Sequence, residues 1–284
     1  MVQSKKGAGN LSRKIITILM MSVMASSGLA TAQSPTGPNN VYIEQIGNQN
    51  VISIQQIGSA NQVGGTTNNS IAVSTGGLSV PGGVTLLQPA APSESNYGTI
   101  RGNQNVLTIN QTGDGNSAQY NIKGNQNTYI SNVTGDGNQT NLTIGIAATG
   151  SSPGVNTNNV TVNETILGNQ NMILQNITGN NVTSTTNITG GNNQVTNSLL
   201  SPSGSIMNNI TGNYNITNSQ QTDSAGASGH SLVMNTTGDY NSITTQQQGN
   251  IDTNVNIATM GNNNTITVRT SNAAIVNPVS AIQR

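Results

Sequence analysis

Few side chains in this sequence could do chemistry. Cysteine is absent, which removes thiol nucleophiles, thiolate metal sites and disulfides together. His230 is the only histidine, so no histidine-rich metal site can be assembled, and His230 reads as a loop residue. The acids are Glu44, Glu94, Asp114, Asp136, Glu164, Asp223, Asp239 and Asp252. Asp114 and Asp136 stand 22 residues apart in identical Gly-Asp-Gly-Asn settings. Paired carboxylates are the raw material of general acid–base catalysis or of cation binding. No pocket-building residues surround this pair, and most equivalent turns carry Asn-Gln where a calcium solenoid would repeat Asp. The two read instead as turn residues whose like charges discourage uncontrolled stacking. With no phosphate-binding loop and no dinucleotide fingerprint, an enzyme is not expected, nor is any cofactor or metal.

The elements that must position these residues are unusual in composition. Of 284 residues, 32% are hydrophobic, 6% charged and 2% aromatic, with no Phe and no Trp. A typical globular domain is about 45–50% apolar and about 25% charged. Disordered chains combine low hydrophobicity with high net charge, whereas the formal net charge here is zero. Asn, Gln, Thr, Ser and 33 Gly fill the gap. Such a polar, uncharged chain gains order through backbone pairing and stacked amides.

Residues 1–32 read as a secretory signal peptide. Lys5, Lys6, Arg13 and Lys14 precede an apolar run from Ile15 to Ala30, and Ala30-Thr-Ala32 supplies a small-x-small cleavage site before Gln33. An uncleaved anchor is the alternative; the short apolar stretch, interrupted by Ser22, Ser26 and Ser27, argues against it. The bases then left are Arg101, Lys123, Arg269 and Arg284 against eight acids, a mature net charge of −4. No basic patch exists for nucleic acid, and no later segment could span a bilayer as a helix. Six Tyr cannot build the aromatic girdles of a membrane barrel. The expectation is a chain exported through the periplasm to the cell surface or beyond.

The mature sequence repeats. Gly-x-x-Asn recurs as Gly47-Asn-Gln-Asn50, Gly58-Ser-Ala-Asn61, Gly102-Asn-Gln-Asn105, Gly113-Asp-Gly115-Asn116, Gly124-Asn-Gln-Asn127 and Gly135-Asp-Gly-Asn138. It returns as Gly168-Asn-Gln-Asn171, Gly190-Gly-Asn-Asn193, Gly212-Asn-Tyr-Asn215, Gly238-Asp-Tyr-Asn241 and Gly261-Asn-Asn-Asn264, with Gly179 and Gly249 as degenerate copies. Within each run the glycines step by 11, and most gaps are multiples of 11.

Counting the turn's closing Asn as position 1, apolar or amide residues occupy positions 3, 5 and 7. Examples are Ile52, Ile54 and Gln56; Leu107, Ile109 and Gln111; Ile173, Gln175 and Ile177; Leu232, Met234 and Thr236; and Val255, Ile257 and Thr259. The positions between carry mostly Ser, Thr and Asn. This alternation predicts a half-buried strand of about six residues ending in a turn that accepts positive φ.

An antiparallel meander and a solenoid with two strands per 22-residue rung both fit that pattern. The solenoid is favoured because the period survives long insertions, identical residues recur in register, and stacked Asn and Gln can form ladders. The expected fold is therefore an all-β solenoid of roughly seven rungs, on the order of 35 Å long. Aromatic bulk is expected to find no room in so thin a core. Insertions are expected at Gly64–Ser95, Ile146–Asn158, Leu200–Ser205 and Asp223–Gly229, the first long enough to break the stack into two blocks. The organisation reads as signal peptide 1–32, a short segment 33–40, the repeat region 41–270 and a tail 271–284.

Gln111-Thr-Gly113-Asp-Gly115-Asn116-Ser-Ala118 resembles the core of the curlin repeat, Gln-x-Gly-x-Gly-Asn-x-Ala, at every fixed position. Glu44-Gln45-Ile-Gly47-Asn-Gln-Asn50 and Gln55-Gln56-Ile-Gly58-Ser-Ala-Asn61 look like degenerate copies. The departures are regular. The family's opening Ser is usually Asn here, and its Gln, kept at Gln45, Gln56, Gln111 and Gln247, is Ile or Val in most other units. The resemblance implies a secreted subunit of curli, the bacterial extracellular amyloid fibres that serve biofilm matrix and adhesion. It implies self-assembly as a homopolymer, with a nucleator subunit and an outer-membrane secretion pore as further partners. The repeat's Gly, Asn and Gln would set the stacking register. The competing reading is a monomeric solenoid that binds a surface, as an adhesin or an ice-binding protein; outward pairs such as Thr183/Thr185 and Thr265/Thr267 suit it, but they do not recur on every rung.

Overall fold

The computed structural model describes residues 37–64, 79–80, 84–85, 98–145, 155–223, 229–271 and 279–283. The signal peptide and its cleavage site at Ala32/Gln33 lie outside these residues. The strands in chain order are β1 (Asn40–Val41), β2 (Glu44–Ile46), β3 (Val51–Ile57), β4 (Gln62–Val63), β5 (Ser79–Val80), β6 (Val84–Thr85), β7 (Thr99–Arg101), β8 (Val106–Thr112), β9 (Ser117–Lys123), β10 (Thr128–Thr134) and β11 (Gln139–Ile144). They continue with β12 (Thr161–Leu167), β13 (Met172–Ile177), β14 (Thr183–Thr189), β15 (Gln194–Leu199), β16 (Ser205–Thr211), β17 (Ile216–Asp223), β18 (Ser231–Thr237), β19 (Ser242–Gly249), β20 (Asn254–Met260), β21 (Thr265–Ser271) and β22 (Val279–Gln283).

β5 and β6 form a separate antiparallel pair; the other strands build two parallel sheets, between which successive strands alternate from β7 onward. One runs β3-β8-β10-β12-β14-β16-β18-β20-β22, and the other from β1 and β2 through β4 and β7, then β9-β11-β13-β15-β17-β19-β21. From β7 onward each strand pairs with the strand two places along, the geometry of a β-solenoid of about eight turns. Chemistry drives this winding. Each strand has one apolar face and cannot bury it alone, so two strands facing each other across a shared core form the smallest closed unit, and stacking satisfies the backbone.

The inward positions fall where the alternation placed them. Leu107, Ile109 and Gln111, Ile173, Gln175 and Ile177, and Leu232, Met234 and Thr236 are all buried, while their neighbours on the same strands are mostly partly or fully exposed. Ile52, Ile54 and Gln56 are only half-buried, because β3 is the outermost strand of its sheet.

Three expectations are corrected. The first insertion does not break the stack: β3 pairs directly with β8 over seven residues, a step of 55, which is 22 plus three whole 11-residue repeats. Nor does that insertion leave from a turn. β4 and β7 pair side by side with the two halves of β9, so the chain departs from mid-strand at Gly64 and returns at Gly98. Second, Leu200–Ser205 is not an insertion. Thr183 pairs with Ser205 at the regular step of 22, and Ser201-Pro-Ser-Gly204 occupies an ordinary turn with Ser203 at φ 56°. Third, the tail forms a strand: β22 pairs in parallel with β20.

Candidate functional site: stacked amide ladders and open rung edges

The corner residues build the first ladder. Asn39, Asn61, Asn116, Asn138, Asn171, Asn193, Asn215, Asn241 and Asn264 each close the turn that enters the second sheet. The backbone N–H of each, from Asn61 on, donates to Oδ1 of the Asn one rung back, at 2.9–3.0 Å. From Asn116 to Asn241 the Nδ2 group also donates to that same Oδ1 and to the carbonyl of the next rung's turn. Asn61 through Asn241 are essentially fully buried. Water therefore cannot replace these bonds, and each Asn satisfies a backbone N–H that would otherwise be orphaned.

The opposite corner starts in the same way with Asn50, Asn105 and Asn127, then changes. Val160, Val182, Gly204, His230 and Thr253 take the equivalent places on later rungs. His230 lies in the connection just before β18, as the loop reading expected, but as a buried corner residue, 1% exposed; the Thr253 N–H donates to its Nδ1.

A second ladder runs along the outer edge of the turns, with the opposite polarity. Here a side-chain oxygen accepts from the rung before it: the Ser59 N–H donates to Asp114 Oδ1, Asp114 N–H to Asp136 Oδ1, and Asp136 N–H to Asn169 Oδ1. The Asp pair therefore lies on adjacent rungs, with its carboxylates acting as turn acceptors. The third turn residue is left-handed at nearly every rung, and its side chains also stack. Gln49, Gln104 and Gln126 form an amide file, and the Tyr214 and Tyr240 rings lie 4.9 Å apart and nearly parallel.

The turn glycines have two reasons to be glycine. Gly190 has φ 129°, and a Cβ placed on it would meet the Gly212 carbonyl oxygen at 1.9 Å. A stack this tight leaves no room for a side chain at that position.

Amides and one carboxyl also occupy the middle of the core. Glu164, on β12, is 1% exposed; its Oε2 accepts from the Tyr129 hydroxyl at 2.7 Å and its Oε1 from Gln175 Nε2 at 2.8 Å. Ser184 Oγ donates to Gln175 Oε1, and Asn208 donates to Asn197 at 2.9 Å, so the polar file continues across later rungs. Burial pushes the Glu164 carboxyl above its ordinary range, and burial followed by the Glu164 charge pushes the Tyr129 phenol up as well. Tyr120 and Tyr129 are the largest fully buried side chains, which corrects the expectation that this core excludes aromatic rings. Glutamines at position 7 stack within a sheet and tie the two sheets together. Gln56 donates to Gln111 on the neighbouring strand of its own sheet, while Gln111, Gln221 and Gln247 each donate to a backbone carbonyl on the facing sheet, those of Gln62, Ser205 and Ser231.

The repeat residues named from sequence thus gather at the two corners and at position 7. The half-buried Gln45 sits in β2 beside Ile100, and Gly249 closes β19. The core file around Glu164 was missed, although its phase was available: Glu164 stands between Val162 and Ile166, all at inward parity.

Both ends of the stack are open among the described residues. β1, β2 and β3 have no partner on their outer edges at one end, nor have β21 and β22 at the other. No family model matches the chain, and neither a curated protein nor a solved structure matches it.

Proposed function

We propose that the protein is an exported structural subunit that polymerises through its rung ends into extracellular curli-like amyloid fibres of a biofilm matrix. The observation that carries this reading is the asparagine ladder from Asn39 to Asn264, which reaches both terminal rungs with its hydrogen-bonding pattern unfinished. Within the chain each Asn gives Nδ2 to the carbonyl one rung ahead; Asn264 has no such rung and falls back on its own turn, 3.4 Å from the Met260 carbonyl. Another copy would supply the missing rung. Exposed β-edges that carry a single charge at each end, Glu44 on β2 and Arg269 on β21, favour such addition, and each added rung gains backbone pairing, amide ladders and a dry apolar seam. Gly, Asn and Gln then set register, and the partners are further copies, a nucleating subunit and a secretion pore. No catalysis is part of this reading.

The test is fibre diffraction on the purified chain from Gln33 onward, which keeps every rung, with thioflavin fluorescence followed during incubation at neutral pH. Fibres with a meridional reflection at about 4.7–4.8 Å are expected. A persistent soluble monomer with β-type circular dichroism would overturn the reading and favour a monomeric solenoid that binds a surface.

A further inference from the structure

The two ends of the solenoid are complementary halves. Among the described residues, the strands of the two parallel sheets begin on one sheet and finish on the other. The first described rung consists of β1 and β2 alone, and the last described one of β22 alone. At the first end the second sheet projects half a rung beyond β3; at the last end the first sheet projects half a rung beyond β21. A second copy translated along the axis fits without a gap, because its β1–β2 would lie beside β21 while its β3 would lie beside β22.

The register of that contact can be followed residue by residue. Glu44 pairs with Thr99, Thr99 with Asn121, Asn121 with Thr143, Thr143 with Asn176, Asn176 with Ser198, Ser198 with Gln220, Gln220 with Gln246 and Gln246 with Arg269. Glu44 and Arg269 therefore occupy one column at opposite ends of the molecule. In a head-to-tail stack the next member of the column after Arg269 is Glu44 of the following copy, one strand spacing of about 4.8 Å away. Opposite charges side by side on neighbouring strands attract, and like charges there repel. The same translation sets Asn39 after Asn264 in the corner ladder. It sets the half-buried Val41 after Ile266, and Ile43 after the half-buried Val268.

We propose that copies of this chain join head to tail by sharing one composite rung, β22 from one copy and β1–β2 from the next, locked by the Arg269–Glu44 pair. The proposal rests on the fibre reading above and specifies its joint. The contact is heterologous and purely additive along the axis, so it does not close into a ring. One copy then adds about nine rungs, an axial repeat of roughly 43 Å.

The test uses two variant sets in the chain from Gln33 onward. At low salt, Glu44→Arg alone and Arg269→Glu alone are each expected to raise the critical concentration for fibre growth about threefold to tenfold, since each turns an attraction into a repulsion. The doubly reversed chain is expected to return to within about twofold of the parent. In the second set, Glu44→Cys with Arg269→Cys brings two Cα atoms to about 4.8 Å, within disulfide range. With no native cysteine, mild oxidation of these fibres should give a ladder of covalent multimers, whereas either single variant stops at dimers. Fibres whose double charge reversal grows no better than the worse single variant, or whose double-cysteine form yields no multimers, overturn the shared rung while leaving fibre formation standing. A parent chain that forms no fibres sinks the fibre reading itself and the joint with it.

Discussion

The Tyr129 hydroxyl donates a 2.7 Å hydrogen bond to Glu164 Oε2, and both side chains are sealed inside the solenoid. Ser131 and Thr186 flank Glu164 along its sheet; Thr140 and Gln175 belong to the facing one, and Tyr129 is the only other titratable group in contact. Among the described residues no cation faces the carboxyl, so ionisation would leave a buried charge held only by neutral hydrogen-bond donors.

The pH dependence follows from that arrangement. The folded carboxyl holds its proton above the ordinary range, so its stabilising contribution is complete below the unfolded value of 4.5 and is lost as pH rises through the folded one. Melting curves between pH 4 and 8 should show Tm falling with pH on this account. In Glu164→Gln the slope should flatten, leaving the variant more stable than the parent at the alkaline end. An unchanged slope in the variant would assign the dependence to other groups.

Replacing Asn193 by Ala removes the acceptor for the Asn215 N–H and Nδ2 and the donor to the Gly212 carbonyl, all in a dry corner. The expected loss is about 2–4 kcal/mol by denaturant unfolding. Asn103→Ala, on the exposed outer ladder where water can take over the bond to the Asn48 N–H, should cost less than about 1 kcal/mol. Equal losses would mean that the corner ladder is no drier than the outer one.

Two glycines separate crowding from conformation. Gly190→Ala meets the Gly212 oxygen and should cost about 3 kcal/mol or more, or prevent folding of the stack. Gly115 has φ 66° with nothing within 4 Å of a would-be Cβ, and the same turn place holds Ala60, Gln170 and Tyr214 elsewhere. Gly115→Asn should therefore shift stability by less than about 1 kcal/mol. Urea titration of both variants checks the ordering.

Asp136→Asn keeps an oxygen for the Asp114 N–H and removes one of two like charges on adjacent turns. Tm should rise at low ionic strength, and the gain should shrink as salt is added, because exposed charges are screened within about 10 Å at 0.1 M. A gain that persists in high salt would point to a cause other than charge.

Periodicity made most of this fold legible, because in a solenoid the contacts repeat with the sequence. The parity that placed Ile173, Gln175 and Ile177 inward is the parity that buries them. The motif failed where geometry tolerates other residues. Ser201-Pro-Ser-Gly204 makes the turn without Gly-x-x-Asn because the neighbouring rungs already fix the path, and Ser203 accepts the left-handed conformation. Tyr129 and Glu164 followed the same parity, but an acid or a ring inside a thin core runs against ordinary burial preferences. Their pairing decides the matter, and pairing between strands a full rung apart is invisible in a linear pattern. The mid-strand exit at Gly64 was likewise hidden: the long segment keeps the 11-residue phase, so nothing local distinguishes a strand that is split from one that has ended.

That split strand also bears on how such a chain can change over time. At Gly64 and Gly98 a Cβ on either residue would lie 3.0 Å from the other's Cα, so the intervening chain departs and returns at one point. Its ends are held by backbone bonds to Ala118 and Tyr120 whatever its length. Doubling a flexible loop costs only about 0.6 kcal/mol in closure entropy. Residues can therefore be gained, lost or exchanged between these two glycines while every ladder keeps its register, which makes the spot a natural port for carrying foreign sequence on an otherwise invariant lattice.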